Sequence, residues 1–340
     1  MNKHLFPLLR LLSDGRFHSG ERLGAALGLT RSAVWHAIRA LEAQGLALNK
    51  LRGRGYRLAR PVDLLSAADI FTAAGAAARQ VNLEIVDSCP STNTLLMERA
   101  RAGAPHASVI ACELQLAGRG RLGRSWQSGL ASGLTFSLLW RFGSGTSSLA
   151  GLSLAVGVAV ARALDRAGVG GVQLKWPNDI VHGGRKLAGI LIETSGEANG
   201  PSAAVIGVGI NTQLDPALRD AIDQAVIDVA SLADPAPARS ALLGLLLAEL
   251  ASLLAAFSRQ GFAPFRDEWQ QRHAHQNQRV SLCMSGQPAV NGEALGVAED
   301  GALLLGSARG VERIVSGDLS GNVGGNLSGN ISLAPRRLNG

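Results

Sequence analysis

The sequence predicts an α+β chain built from several units, and three observations predict it. At 340 residues the chain is long for a single domain. Its charge is uneven: residues 1–62 hold 11 Lys and Arg against Asp14, Glu21 and Glu42, so the net charge of +7 is more than supplied there and the remainder carries −1. The hydrophobic pattern also changes twice, from short helices, to strand-like runs interrupted by helices, to short strands alone. With 46% apolar and 17% charged residues the chain can fill a core, which excludes a disordered polyelectrolyte. The divisions predicted are 1–62, 63–272 and 273–340.

In the first unit, "MNKHLFPLLRLL" reads as a helix. Pro7 and Arg10 interrupt its apolar run and no small-residue cleavage site follows, which argues against a secretion signal. "HSGERLGAALGLT" predicts a helix from Ser19 to Gly28, with Leu23, Ala26 and Leu27 on one face. Thr30 then caps "RSAVWHAIRALEAQG", whose Val34, Ile38 and Leu41 repeat at helical spacing up to Gly45. Two helices about a tight turn make a helix-turn-helix, and "LALNKLRGRGYRLA" adds a hairpin, the wing. Arg31, Ser32, Trp35, His36 and Arg39 on the second helix, with Lys50, Arg52 and Arg54 at the wing, are the candidate DNA contacts. Protein contact through the same face is the alternative.

The second unit opens with an Ala-rich helix and connector to Ala78. From Leu83 to Asn211, strand-like runs ("VNLEIVD", "ASVIACELQ", "LTFSLLW", "VQLKWPND", "KLAGILIET", "AAVIGVGIN") alternate with helices near 92–102 and 148–168. Several runs are too apolar for half-exposed strands, so a mixed central sheet backed by helices is predicted. The stretch Gly143–Ala161 is uncharged, but Arg162, Asp165 and Arg166 continue its helical pattern, so it is read as a buried helix and not a membrane span. "RSALLGLLLAELASLLAAFSRQGF" predicts a long amphipathic helix. Beyond Arg279 the runs shorten ("RVSLCM", "VNGEALGVA", "GALLLGS", "VERIVSG"), predicting a small β-barrel, followed by "LSGN" twice, at 319–322 and 327–330. Cys89, Cys112 and Cys283 form no CxxC pair, against a disulfide framework or zinc site and in keeping with a reducing, cytoplasmic location.

Five stretches carry chemistry. "STN" (Ser91–Asn93) stands at a strand-to-helix junction, where its hydroxyls cap a helix or hold a polar ligand head. In "ELQLAGRGRLGRSW", glycines let backbone approach a ligand and arginines offer forked donors for carboxylate or phosphate. A solvated basic loop, a nucleic-acid contact and an anion-binding loop that orders on its ligand all fit. The near-neutral charge of residues 63–340 favours the last, because tracking a nucleic-acid backbone needs many more cations than three. "KWPNDI" places Lys175, Asn178 and Asp179 at a strand end, Asp179 being a candidate Mg²⁺ ligand, and Lys186 and Gly189 follow in "RKLAGILIE". "GVGIN" supplies a glycine-rich strand ending in Asn211.

Together, "STN", "QxAGRGRxGRxW", "KWPND", "KLAGIL" and "GxGIN", in this order and spacing, resemble the biotin protein ligases. The basic winged helix in front resembles the bifunctional subgroup that joins ligase to biotin-operon repressor, and the likeness covers nearly the whole chain. The resemblance implies a class II synthetase-like catalytic domain, a C-terminal SH3-like barrel, and a reaction in which the biotin carboxylate attacks the α-phosphate of ATP, with Mg²⁺, before a lysine of a biotin carboxyl carrier protein displaces AMP. It implies biotin contacts from Ser91, Thr92, Asn93, Gln115, Gly118, Arg119, Gly120, Arg121, Lys186 and Gly189. It implies nucleotide contacts from Arg121, Arg124, Trp126, Lys175, Asn178, Asp179, Lys186 and Asn211, with Lys186, Arg119 and Arg121 carrying the chemistry. Palindromic operator DNA implies a homodimer, formed through the edge of the central sheet.

Two departures stand out. Leu122 sits where the family loop often has another arginine, and the candidate for the family's closing Ser-Leu-Arg is Ser332-Leu333-Ala334, which leaves open whether Arg336 or Arg337 replaces that arginine. A biotin sensor without catalysis and a lipoate ligase are the competing readings. If the exposed basic face of residues 1–62 neutralises phosphates, operator affinity falls with salt, the logarithmic slope changing by about 0.9 per phosphate contact; salt-insensitive binding in a titration rules this account out.

Overall fold

The structure, a computed structural model, describes residues 2–284, 288–307 and 309–321. The winged helix comprises α1 (Leu5–Leu12), α2 (Gly20–Leu27), α3 (Arg31–Ala43) and the antiparallel wing strands β1 (Leu48–Leu51) and β2 (Gly55–Leu58). Ser19 Oγ accepts from the Arg22 N–H and Thr30 Oγ1 from the Ala33 N–H, and Gly28 ends α2 at φ 65°, so the turn follows from caps legible in the sequence. Val34, Ile38 and Leu41 of α3 are buried against Leu8, Leu9 and Leu23.

After α4 (Ala67–Ala74) come β3 (Asn82–Cys89), α5 (Thr92–Arg101), β4 (Ser108–Gln115), the short β5 (Gly118–Arg119) and β6 (Ser125–Trp126), and β7 (Gly133–Phe142). Next are α6 (Leu152–Arg166), β8 (Gln173–Lys175), β9 (Asp179–His182), β10 (Arg185–Gly196), β11 (Ser202–Asn211), α7 (Pro216–Ala221), α8 (Arg239–Gln260) and α9 (Arg266–Gln271). Seven strands form one mixed sheet in the order β3-β4-β7-β11-β10-β9-β8, in which β3 and β4 are parallel and the other pairs antiparallel. β7 and β11 lie at its centre and are almost wholly buried, as their unbroken apolar runs require. α6 and α8 pack over one side of the sheet, while α5 crosses β7 and β11 on the other.

Three predicted elements come out differently. "VQLKWPND" is a hairpin: β8 ends at Lys175, a turn containing the cis Trp176–Pro177 bond follows, and Asp179 begins β9. The loop "GRGRLGRSW", expected to stay loose until an anion arrives, is folded as the two-stranded ribbon β5–β6, with Gly120 N donating to Arg124 O at 2.7 Å. α8 is buried over most of its surface where an amphipathic helix was predicted, because α4 and α6 enclose it. Among the described residues it is the one helix long and apolar enough to cross a membrane, and it serves as a core helix here.

The C-terminal sheet has five antiparallel strands, β12 (Arg279–Cys283), β13 (Val290–Val297), β14 (Leu303–Ser307), β15 (Gly310–Ile314) and β16 (Asp318–Gly321), in the order β15-β14-β13-β12-β16. β16 is an edge strand of this sheet, paired with β12, and already contains the first "LSGN" through Gly321, upstream of the closing strand expected at Ser332-Leu333-Ala334. Those residues, the second "LSGN", Arg336 and Arg337 lie outside the described residues.

The winged helix is joined to the central sheet by packing as well as by chain. Leu114 of β4 and Leu130, beyond β6, belong to its apolar core. The connecting segment is pinned by a buried ion pair: Arg239 donates to Glu113 Oε2 at 2.8 Å and to the carbonyls of Asp63 and Gly133, while Glu113 Oε1 accepts from the Leu65 N–H at 2.6 Å. Both side chains are only 4% exposed. Removing one partner strands the other charge, so Glu113→Ala is expected to cost about 3–5 kcal/mol, read as a lowered urea midpoint, and adding Arg239→Met should recover most of it.

Candidate active site and DNA-facing surface

A cavity of about 700 Å³ opens beside β11 on the side of α5. Its floor exists because β11 has glycine where the sheet must be flat. A Cβ on Gly207 would stand 2.1 Å from Asn93 Oδ1, and one on Gly209 would stand 2.5 Å from the Trp126 ring. These glycines are used for close approach of side chains and have no unusual φ.

At one end, Thr92 donates through its N–H to Gln115 Oε1 at 2.8 Å, and Ser137 Oγ donates to Thr92 Oγ1 at 2.8 Å. Ser91 is buried at the N-terminus of α5, yet its hydroxyl caps no helix N–H. Capping therefore does not account for it, and Ser91 is among the residues that line the cavity. Asn93 is held within the scaffold, donating to Leu191 O at 3.2 Å and Glu193 Oε2 at 3.0 Å. Glu193, not singled out from the sequence, also pairs with Arg119 at 3.0 Å.

At the other end, a β-bulge between Lys186 and Ala188 re-aims β10, and Lys186 Nζ lies 2.8 Å from Asp179 Oδ1. Arg121 donates to Asn178 Oδ1 at 3.3 Å, and Asn178 is itself tied to β10 through Nδ2 and the Ile190 carbonyl at 2.8 Å. The Trp126 ring lies against Gly189 and Gly209 with Lys186 Nζ 5.8 Å from its centroid, and its buried indole N–H has no acceptor among the described residues. Asn211 braces the site, donating to the carbonyls of Lys186 and Ile227 at 3.2 Å each. Leu122 adopts φ 54°, ψ 36° in the ribbon and is 63% exposed. For a residue with a branched side chain this left-handed conformation carries strain.

Most residues singled out from the sequence thus meet in one cavity. Gly118 lies beneath the lining: a Cβ there would stand 2.4 Å from the Trp126 carbonyl. Lys175 is absent from the lining as well, although it stands opposite Asp179 across the β8–β9 pair, and its charge acts on His275. Sequence reading missed the segment Ala221–Gln224 and Asp318, which line the cavity from far along the chain. No motif flags them, since their place depends on tertiary folding; the pairing of Lys186 with Val226 is what brings the first of them over the site.

On the winged helix, Arg31, Ser32, Trp35, His36 and Arg39 form one exposed face of α3, and Lys50, Arg52 and Arg54 are exposed on the wing. Arg39 lies over the Trp35 ring at 5.8 Å, while Arg54 and Arg57 stack on Phe17 at 5.5 and 4.7 Å. Glu42 pairs with Lys50 at 2.7 Å and Arg39 at 3.5 Å, which lowers the free positive charge of this face.

Gly209→Ala is expected to keep the fold while displacing the Trp126 indole from its slot. Comparing the tryptophan emission of this variant with that of wild type and Trp126→Phe checks it; emission like wild type would count against the slot.

Comparison with known proteins agrees with this architecture. Residues 85–211 match the biotin/lipoate A/B protein ligase family, residues 4–57 an HTH domain and residues 275–320 the biotin protein ligase C-terminal domain. The bifunctional ligase/repressor BirA of Escherichia coli K12 is 36% identical over 298 residues, covering 88% of this chain and 91% of that protein. The protein of the same name from Bacillus subtilis 168 is 29% identical over 317 residues, covering 92% and 97%. Among solved structures, the biotin protein ligase of Aquifex aeolicus in complex with biotin and ATP superposes with a TM-score of 0.59 at 26% identity, covering 70% of this chain and 97% of that one. The chain belongs to the biotin protein ligase family, among relatives of the bifunctional ligase/repressor kind.

Proposed function

We propose that the chain is an ATP-dependent biotin–protein ligase and a biotin-responsive repressor of biotin-synthesis genes. The observation that carries the ligase reading is that one cavity holds an uncapped hydroxyl and amide end at Ser91, Thr92 and Gln115 and a cationic end at Arg121, Arg124 and Lys186. The first suits a polar ligand head; the second suits an acid and a phosphate that must be brought together.

In the reaction proposed, a biotin carboxylate oxygen forms a bond to the α-phosphorus of ATP, the α–β bridging bond breaks, and pyrophosphate leaves. A carrier lysine amine then forms an amide with the activated carbonyl and AMP departs. Two anions repel as they approach, and fixed cations in a partly dry cavity offset that repulsion. Lys186, held by the bulge, and Arg121, held by Asn178, are placed for this. Trp126 offers a flat face beside Gly209.

Mg²⁺ is part of the proposal. Among the described residues no group of three His, Cys, Asp or Glu side chains forms a metal cage. One carboxylate plus substrate phosphates is a donor set that Mg²⁺ commonly accepts, which suits Asp179 in exchange for its contact with Lys186. When bound, the ion would neutralise phosphate charge.

The domain limits 1–62, 63–272 and 273–340 and an SH3-like, class II synthetase-like architecture belong to this reading, as does a cytoplasmic location, with Cys89 and Cys112 free thiols 3.5 Å apart. A homodimer through the sheet edge is supported by β10, which runs beyond its partner β9. The Ile190 N–H points to Asn178 O, so Ile192 and Thr194 face the same way with no strand of the described residues beside them.

With ATP, Mg²⁺, biotin and a biotin carboxyl carrier protein, labelled carrier is expected; its absence sinks the enzyme reading and leaves a sensor. Competition between biotin and lipoate in pyrophosphate release separates the two ligase substrates. Lys186→Met should slow pyrophosphate release about a hundredfold or more. Deleting residues 1–62 should abolish operator binding with biotinylation still measurable, though weakened, because Leu114 and Leu130 lose their cover.

A further inference from the structure

Every cation named in the cavity already has a carboxylate partner: Arg119 with Glu193, Lys186 with Asp179, and both Arg121 and Arg124 with Asp318. The last pairing crosses between two sheets. Of the described residues of the C-terminal sheet, Asp318 is the one that lines the cavity. Its backbone is fixed by pairing with Cys283 of β12, and the next residue, Leu319, is buried in the core. Ahead of it, Gly317 has φ 153°, and a Cβ there would stand 2.8 Å from Leu282 Cδ1, so the chain bends tightly into β16.

The carboxylate divides its oxygens. Oδ1 lies 3.6 Å from an Arg121 terminal nitrogen, which also donates to the Gly317 carbonyl at 3.4 Å, and Oδ2 accepts from Arg124. A guanidinium has five N–H donors. Arg121 spends one terminal nitrogen on Asn178, Gly317 and Asp318, and Arg124 one on Asp318, so each keeps further donors for an incoming phosphate. Arg124 is 64% exposed, and without this contact nothing else among the described side chains pairs with its charge.

We propose that Asp318 is a positioning residue, through which the C-terminal sheet holds Arg121 and Arg124 of the β5–β6 ribbon in place for the phosphates of ATP. The opposite sign is physically available: a carboxylate can compete with the phosphate for the same arginines. The sharing of donors argues for positioning. This inference rests on the ligase reading.

Its test is biotin-dependent pyrophosphate release by the full chain. Wild type is measured first; no release there defeats the ligase reading and leaves Asp318 out of the question. Given wild-type activity, Asp318→Asn, which keeps the shape and removes the charge, is expected to raise KM for ATP about tenfold, the equivalent of losing one charge-assisted contact, with KM for biotin and kcat little changed. Arg124→Ala should raise it in the wild-type background and add little in Asp318→Asn. Asp318→Glu, which keeps the charge, should recover most of the affinity. An unchanged or lowered KM for ATP in Asp318→Asn overturns the proposal, as do equal effects of Asn and Glu, which would mark a packing role in β16. If Asp318→Asn does not fold, Asp318→Ala takes its place with the same expectation, a raised KM for ATP to which Arg124→Ala adds little; an unchanged KM, or additive effects of the two, overturns the coupling.

Discussion

A cavity that brings two anions together needs cations, and cations held in a partly buried cavity need counter-charges of their own. Much of the site follows from this constraint. Asp179, Glu193 and Asp318 come from three different strands, two in the central sheet and one in the C-terminal sheet, and each holds at least one cation at the cavity. The pairs stabilise the unliganded protein against like-charge repulsion and fix the side chains, so that less order remains to be gained when a ligand arrives. Long cationic side chains left free would lose more rotamer entropy on binding.

The same pairs need a rigid frame, which the two buried central strands provide. Gly207 and Gly209 on β11 let Asn93 and Trp126 rest directly on the sheet, one anchoring the Glu193–Arg119 pair and the other forming a flat wall beside Lys186. Asn211, at the end of that strand, ties the lysine-bearing backbone to the segment before α8. Side chains that looked like ligand contacts in a linear motif thus divide into those that face the cavity and those that hold others there. Ser91 is of the first kind; Asn93 and Asn211 also touch the lining but spend their amides on the scaffold.

The winged helix is bound to this frame through β4. Along that strand, Glu113 holds the interdomain connection, Leu114 packs into the winged-helix core and Gln115 meets Thr92. Three consecutive residues therefore touch the connection, the DNA-facing unit and the ligand-facing unit. The buried Arg239–Glu113 pair adds directionality more than net stability, since two well-packed apolar residues could fill the space at similar free energy.

What the sequence by itself determined was local. The caps at Ser19 and Thr30, the heptad-like repeat of α3 and the apolar runs of β7 and β11 were legible because helix and strand periods depend on neighbours in the chain. The motif residues from Ser91 to Asn211 were legible through a resemblance, which specified their identity but not their partners. Tertiary structure alone decided that "KWPND" turns back on itself and leaves Lys175 outside the cavity. It alone decided that the arginine-rich stretch folds as a ribbon, and that its charges are met by Glu193 and Asp318, 74 and 194 residues away from the arginines they pair with. Ion pairs form between whatever charges the fold brings within a few ångströms, and no period in the chain records that distance.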